Sequence, residues 1–109
     1  YIDDVVEGVV QLVHRPPSGP TPHSIYNVGN SSPVKLTQFI EELEEALTAS
    51  LGRHAVLDKV YAPLQAGDVT TTYASTQKLE ELTGYRPNTP LRVGLQAFTD
   101  WYVDFHGIR

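Results

Sequence analysis

The sequence contains no cysteine. Without thiols the chain can form neither a disulfide framework nor a thiolate metal site. The four histidines lack the spacing of metal ligands, and we expect them at surface or capping positions: His14, His23, His54 and His106. The sequence therefore predicts no metal site.

Long apolar runs are also missing. No apolar stretch approaches the roughly 20 residues that a membrane helix needs. The residues from Tyr1 onward also lack the charged and then apolar pattern of a signal peptide. The chain carries 13 acidic residues against 8 basic ones, a net charge of -5, with no cluster of Lys and Arg. This charge opposes binding to a phosphate backbone. We therefore expect a globular, cytoplasmic chain that binds neither nucleic acid nor membranes.

Motifs for catalysis are absent as well, since the sequence has no P-loop, no G-x-G-x-x-G and no arrangement of nucleophile and base. Asp3, Asp4 and Glu7 could form an acid–base group, but a capped helix start accounts for them. Asp4 and Glu7 are spaced like a capping box before an apolar run. They predict a helix over residues 5–13, whose apolar residues nearly encircle it and favour burial on more than one side.

The clearest local pattern is a strand, turn and helix over residues 24–47. Ile25, Tyr26 and Val28 favour a strand that stops at Gly29-Asn30. Ser32 and Pro33 are typical of a helix cap and a first helical residue. The helix is amphipathic, with apolar residues at Leu36, Phe39, Ile40, Leu43, Ala46 and Leu47. A phosphate at its N-terminus is the alternative use of residues 30–32, but a turn and a cap explain them without a ligand.

Glycine and proline divide the rest of the chain. Gly52 stops the central helix, and a second strand over residues 55–61 ends before Pro63. A turn at Ala66-Gly67 precedes Asp68. Ser75 and Gly84 are typical of the start and stop of a third helix.

Thr89-Pro90 repeats the cap-plus-proline start of a helix. The helix that follows carries an aromatic and aliphatic stripe at helical spacing: Leu91, Leu95, Phe98, Trp101, Tyr102 and Phe105. Such a stripe usually belongs to a core, which would make Trp101 and Phe105 docking residues. The alternative is an exposed surface for a partner or a missing domain.

These elements predict a mixed α/β fold with about four helices and a small, partly parallel sheet. The sheet would contain strands near 24–28 and 55–61, with 70–73 as a candidate third strand. The central helix would connect the first two strands as a right-handed crossover.

Four segments together resemble a known family: Tyr-Ile-Asp-Asp-Val-Val-Glu-Gly-Val at 1–9, Ile-Tyr-Asn-Val-Gly-Asn-Ser-Ser-Pro-Val at 25–34, Gln-Ala-Gly-Asp-Val at 65–69 with Tyr-Ala at 73–74, and Thr-Gly-Tyr-Arg-Pro-Asn-Thr-Pro-Leu-Arg-Val-Gly-Leu at 83–95. They are similar to the C-terminal part of the extended short-chain dehydrogenase/reductase family. The nearest pattern is that of the NAD-dependent nucleotide-sugar epimerases, in particular the UDP-glucuronate 4-epimerases. The resemblance covers nearly the whole chain in order.

The resemblance implies a division of labour. In this family an N-terminal Rossmann domain holds NAD and a catalytic Tyr-x-x-x-Lys pair, and a smaller C-terminal domain closes over the nucleotide sugar. NAD takes hydride from the sugar C4, the 4-keto sugar rotates, and hydride returns to the other face. Residues 1–109 would be the nucleotide-sugar-binding domain of a longer chain, without the Rossmann core. Alone, this chain should be inactive and should bind no NAD.

The resemblance also supplies two candidate site residues, Gln65 and Asp68. Their turn is similar to a family loop beside the nucleotide diphosphate. Gln65 stands where many relatives have Arg, so it would donate a neutral hydrogen bond. Asp68 would orient the loop or meet a ribose hydroxyl, and a simple turn acid is the equal alternative. Ser75 stands where the family usually has Asp at a helix cap, a substitution that keeps the capping role. We expect no catalytic, cofactor-binding or metal-binding residue in this chain.

Other functions remain open at the level of sequence. A nucleotide-sugar 4,6-dehydratase or decarboxylase of the same family would differ in its N-terminal, catalytic part, which lies outside these residues. A non-catalytic binding module would lack that part altogether. We expect a UDP-sugar, bound through the complete enzyme, and the N-terminal Rossmann domain as partners. The isolated chain is expected to self-associate through the apolar surface of its first and last helices.

Overall fold

The computed structural model describes residues 1–69 and 71–108. Its helices are α1 (Ile2–Val13), α2 (Leu36–Leu51), α3 (Gln77–Thr83) and α4 (Leu91–Phe105). The chain forms two compact units. Unit 1 contains α1 and α3 within residues 1–33 and 71–89, and unit 2 contains α2 and α4 within residues 34–69 and 90–108. The prediction of about four helices is confirmed.

In unit 1, α1 approaches its neighbours through Gly8. A side-chain carbon at this position would lie 3.4 Å from Val28 Cγ1 and 3.7 Å from Leu79 Cδ2. Leu79, on α3, is completely buried. These are ordinary van der Waals distances, so this side of α1 lies close against Val28 and Leu79.

The predicted capping box at Asp4 is wrong. Helix α1 begins at Ile2, and the carbonyl of Tyr1 accepts from the Val5 amide at 3.2 Å. Asp4 therefore lies inside the first turn, where its buried carboxylate accepts from the Thr89 hydroxyl at 2.8 Å and the Thr89 amide at 3.1 Å. Glu7 accepts from Gln11 Nε2 at 2.6 Å, one turn along the same helix.

The predicted cap at Ser32-Pro33 is also wrong. Helix α2 begins only at Leu36, and its N-cap residue is Lys35. The preceding polar residues bind loops of unit 1 instead. Ser31 adopts a left-handed φ of 54° with its hydroxyl 2.9 Å from Thr76 Oγ1, and Asn30 Nδ2 donates to the Thr89 carbonyl at 2.9 Å.

Other helix boundaries follow the sequence more closely. Gly52 and Gly84 end α2 and α3 in the left-handed conformation, as predicted. Thr76 is the N-cap residue of α3, while Ser75 Oγ accepts from the Gln77 amide at 3.3 Å. Thr89 does not cap α4, because its hydroxyl donates to Asp4 and Pro90 occupies the N-cap position.

In unit 2, α2 and α4 pack through small and polar side chains. Ala46, Leu95 and Thr99 are the buried residues of these helices. Ser50 Oγ lies 2.8 Å from Thr99 Oγ1, 2.7 Å from Asp100 Oδ1 and 2.9 Å from Gln96 Nε2. The contact between the helices therefore combines a small apolar core with a hydrogen-bonded cluster around one serine.

The stripe of α4 forms a core only at Leu95, and the predicted docking residues Trp101 and Phe105 are exposed. Trp101 is 53% exposed and Phe105 69% exposed, and their rings stack with centroids 5.2 Å apart. The buried side of α4 carries Leu95 and Thr99, one turn apart, whereas Trp101 and Phe105 lie about a third of a turn around the helix from it. Of the two alternatives in the sequence, the structure favours the exposed stripe.

The predicted sheet is wrong for the part of the chain that the structure describes. No residue of 24–28, 55–61 or 71–73 lies in a strand, and Thr70, in the candidate third strand, lies outside the described residues. Side chains take the place of a neighbouring strand. Lys78 Nζ donates to the Ile25 carbonyl at 3.0 Å, and the Leu57 amide donates to Glu44 Oε1 at 2.8 Å.

Two smaller findings concern the surface. All four histidines are exposed, as predicted, and His14 and His106 occupy the C-cap positions of α1 and α4. Within residues 1–69 and 71–108, no helix has both the length and the apolar composition needed to cross a membrane.

Candidate functional site

Gln65 and Asp68 lie at the two ends of a tight turn in unit 2. The Asp68 amide donates to the Gln65 carbonyl at 3.1 Å, which closes a four-residue turn. Gly67 has a φ of 97°, a value that the third position of a type II turn requires and that glycine reaches without strain. Both side chains are exposed. The turn predicted at Ala66-Gly67 is confirmed, and it brings the two candidate residues together through their backbone.

An extended segment leads from α2 to this turn and is held along the helix. The Ala55 amide donates to Thr48 Oγ1 at 3.0 Å, and the Leu57 amide donates to Glu44 Oε1 at 2.8 Å. Alternate amides of an extended chain point the same way, and residues four apart on a helix share a face. The amides of residues 55 and 57 can therefore both reach the helix face that carries residues 48 and 44. Because the residue numbers rise along the segment while those of their partners fall, the segment runs antiparallel to α2.

Glu44 holds this arrangement from the helix side. Its Oε1 also lies 2.6 Å from Lys59 Nζ, so one carboxylate oxygen binds a backbone amide and an ammonium group. The hydrogen bonds from Lys59 and then from Leu57 lower the pKa of Glu44. The ionised carboxylate is the form that anchors the segment six residues before Gln65.

The turn supplies neutral and anionic hydrogen-bonding groups. The Gln65 amide can donate and accept, and the Asp68 carboxylate can only accept when ionised. Exposed groups of this kind suit the hydroxyl and amide groups of a polar ligand. Among the described residues, no group of three or more His, Cys, Asp or Glu side chains could hold a metal ion.

Unit 1 contains a separate shallow pocket of about 300 Å³. Its lining comes from two loops, 29–33 and 72–74. Residues 30–32 were the alternative phosphate site in the sequence, which depended on a helix starting beside them. Because α2 begins at Leu36 with Lys35 as its N-cap residue, residues 30–32 do not form its N-terminus, and the structure gives that alternative no support.

Sequence reasoning missed the anchoring roles of Glu44 and Thr48. The acidic residues of the central helix, Glu41, Glu42, Glu44 and Glu45, have the pattern of a solvated face, which does not distinguish Glu44 from its neighbours. Two patterns could have identified the anchors: the alternation of the extended segment and the four-residue spacing of the two side chains on α2.

Similar proteins support the resemblance seen in the sequence. The chain is 37% identical over 117 residues to a probable UDP-glucuronate 4-epimerase of Rhizobium meliloti, covering 94% of this chain and 33% of that protein. It is 35% identical over 120 residues to protein CapI of Staphylococcus aureus, covering 97% and 34%. It is 31% identical over 118 residues to UDP-glucuronate 4-epimerase 6 of Arabidopsis thaliana, covering 100% and 25%.

No protein-family model matches the chain. The chain spans only about a quarter to a third of the length of the curated relatives that it matches. The matches cover nearly all of these 109 residues and are consistent with the C-terminal piece of an epimerase. They confirm the resemblance: over nearly its whole length, the chain is similar to one part of proteins named UDP-glucuronate 4-epimerase.

Proposed function

We propose that this chain is the substrate-binding C-terminal part of an NAD-dependent nucleotide-sugar epimerase that acts on UDP-glucuronate or a similar UDP-sugar. The observation that carries the proposal is the identity of 31–37% to proteins named UDP-glucuronate 4-epimerase over 94–100% of this chain. A relationship spread over the whole chain is more specific than any single motif in it.

In this proposal, the turn of Gln65 and Asp68 binds the nucleotide part of the substrate. Gln65 donates its side-chain amide to a diphosphate oxygen, and Asp68 accepts from a ribose hydroxyl. The type II turn supports these roles because it holds both exposed side chains at one loop. Binding energy gained here, away from the reacting carbon, would keep the sugar in position for the chemical step.

The chemistry would depend on groups outside these residues. NAD supplies a hydride acceptor and donor when it is bound, but this sequence has no glycine-rich fingerprint and no Tyr-x-x-x-Lys pair to hold and serve it. We therefore assign NAD to an N-terminal Rossmann domain of the complete enzyme. The chain alone should not interconvert epimers and should bind UDP-sugars weakly or not at all.

Two alternatives remain. One is a 4,6-dehydratase or decarboxylase of the same family, which would bind the same nucleotide part of its substrate. The other is a binding module without catalytic activity.

The upstream reading frame separates an enzyme of this family from a binding module. Gly-x-x-Gly-x-x-Gly and Tyr-x-x-x-Lys before Tyr1 would support an enzyme, and a stop and start codon just upstream of Tyr1 would support the module.

A chimera tests the proposed site directly. In it, this chain replaces the matching segment of the Rhizobium meliloti relative, and epimerisation of UDP-glucuronate is followed. We expect activity in the chimera, and a fall in kcat/KM of about tenfold for Gln65→Ala or Asp68→Ala, which is the loss of one hydrogen bond of about 1.4 kcal/mol.

Asp58→Ala provides the matched control, since Asp58 is another exposed acid of unit 2. It should leave kcat/KM unchanged. A folded chimera without activity would refute the epimerase assignment, and equal effects of the two aspartate variants would refute the role of Asp68.

A further inference from the structure

Helix α1 carries a wide aliphatic face that unit 1 leaves exposed. Its members are between 41% and 70% exposed: Ile2, Val5, Val6, Val9, Val10 and Val13. At about 100° per residue, these six positions fall within an arc of about 140°. The expectation that apolar residues nearly encircle this helix and are buried on more than one side is therefore wrong. The arc contains no charged or polar side chain. A helix face that meets only water normally carries charges, so this face is unusual for a solvent-exposed surface.

The other sides of α1 have their own partners. Asp4 and Gly8 form the buried side. Asp4 accepts a hydrogen bond from Thr89, and Gly8 lies against Val28 and Leu79. Glu7 and Gln11 form a hydrated side, joined by their own hydrogen bond. The helix thus has one side packed against the rest of unit 1, one side suited to water, and a third side suited to an apolar partner.

We propose that this aliphatic face of α1 is the surface on which the remainder of a full-length epimerase packs. The proposal rests on the proposed function and identifies where the partner of that function is bound. About two thirds to three quarters of each relative's length lies outside the region that this chain matches. The relatives therefore contain a large additional polypeptide, and a charge-free face of β-branched side chains is suited to an apolar layer of such a polypeptide.

The charges beside this face disfavour a lipid surface. Asp3 and Glu7 border the face on its hydrated side, whereas helices that lie on membranes carry Lys and Arg there to meet anionic lipids. A second copy of the chain is the remaining occupant, and the experiment below separates it from the packed polypeptide.

The test compares two matched pairs of substitutions in the chimera and in the isolated chain. Val5→Lys/Val9→Lys places two charges on the face, one turn apart. Val56→Lys/Val60→Lys is the control, since these valines are also four apart and are 69% and 88% exposed. We expect the first pair to lower the Tm of the chimera by about 5–10 °C and to change the Tm of the isolated chain little. The control pair should change neither Tm.

Four outcomes would overturn the proposal. In the first, both pairs leave the Tm of the chimera unchanged. In the second, the α1 pair lowers the Tm of the isolated chain as much as that of the chimera. In the third, the α1 pair converts an oligomer of the chimera to a monomer in sedimentation without lowering the Tm of the chimera, which would assign the face to a second copy. In the fourth, the unsubstituted chimera fails to fold. Epimerase activity reports only on the proposed function, so an inactive, folded chimera with the expected Tm pattern separates the two failures.

Discussion

Asp4 shows how a single side chain can serve a different purpose from the one its local sequence indicates. Its spacing from Glu7 resembles a capping box, yet its carboxylate accepts hydrogen bonds from residues more than 80 positions away in the chain. Burial raises the pKa of Asp4, but the hydrogen bonds from the Thr89 hydroxyl, the Thr89 amide and the Tyr85 hydroxyl outweigh it, and the net pKa is lowered. No local pattern reveals such a contact, because its partners are brought to Asp4 only by folding.

Replacing this carboxylate should destabilise the chain. Asp4→Ala leaves the amide and hydroxyl of Thr89 without their acceptor in a site where Asp4 itself is only 8% exposed. We expect the free energy of unfolding to fall by about 1–3 kcal/mol in urea denaturation. Asp3→Ala, on the exposed neighbour, is the control and should change it by less than about 0.5 kcal/mol. Equal effects of the two variants would contradict the role of Asp4.

The same contact should appear in the pH dependence of stability. Because the pKa of Asp4 is lower in the folded state, its contribution is complete above the ordinary carboxyl pKa of about 4 and is lost as the pH falls through the folded-state value. The difference in unfolding free energy between the wild type and Asp4→Asn should therefore be largest near neutral pH and shrink at acid pH. A difference that does not change with pH would show that the charge of Asp4 makes no contribution.

At the scale of secondary structure, the helices were predictable and the sheet was not. Regular apolar spacing and terminal glycines at Gly52 and Gly84 are local features, and they placed helices correctly. Segments 24–28 and 55–61 have β-favouring composition, but a strand also needs a neighbour with unpaired backbone groups. Here the side chains of Glu44 and Lys78 fill that role. Composition alone cannot distinguish these two kinds of partner.

For the candidate site, the sequence predicted the local turn but not the ligand of its side chains. The turn at Ala66-Gly67 follows from glycine, whose positive φ the turn requires. The roles of Gln65 and Asp68 came from family resemblance and stay predictions, since an exposed turn by itself does not identify a ligand.

The extended segment before the turn offers a test at this scale. Glu44→Gln weakens the acceptor for the Leu57 amide and removes the charge that attracts Lys59. We expect the Leu57 amide to exchange with solvent deuterium several times faster, while amides inside α2 keep their protection. Glu42→Gln is the control, because Glu42 accepts from Gln38 on the same helix. Unchanged exchange at Leu57 in Glu44→Gln would show that the segment is held by other contacts.

At the scale of the whole molecule, the chain exposes two groups of large apolar side chains, one on α1 and one on α4. Single exposed apolar residues are ordinary, but α1 presents six aliphatic side chains together and α4 presents a stacked aromatic pair. A relative that is three to four times as long could cover such surfaces, whereas the isolated chain can cover them only by association. The apolar surface predicted for the first and last helices is confirmed, and self-association is its testable consequence.

We expect the isolated chain to sediment as more than a monomer at high concentration. Trp101→Lys/Phe105→Lys should weaken this association about tenfold, or about 1.4 kcal/mol, because each charge would lose hydration inside an apolar contact. Tyr61→Lys is the control, since Tyr61 is 88% exposed and lies outside the α4 stripe. Sedimentation of the unsubstituted chain as a monomer at all concentrations would contradict the prediction. Equal weakening by the control would show that association depends on exposed aromatic residues in general, with no special role for the stripe on α4.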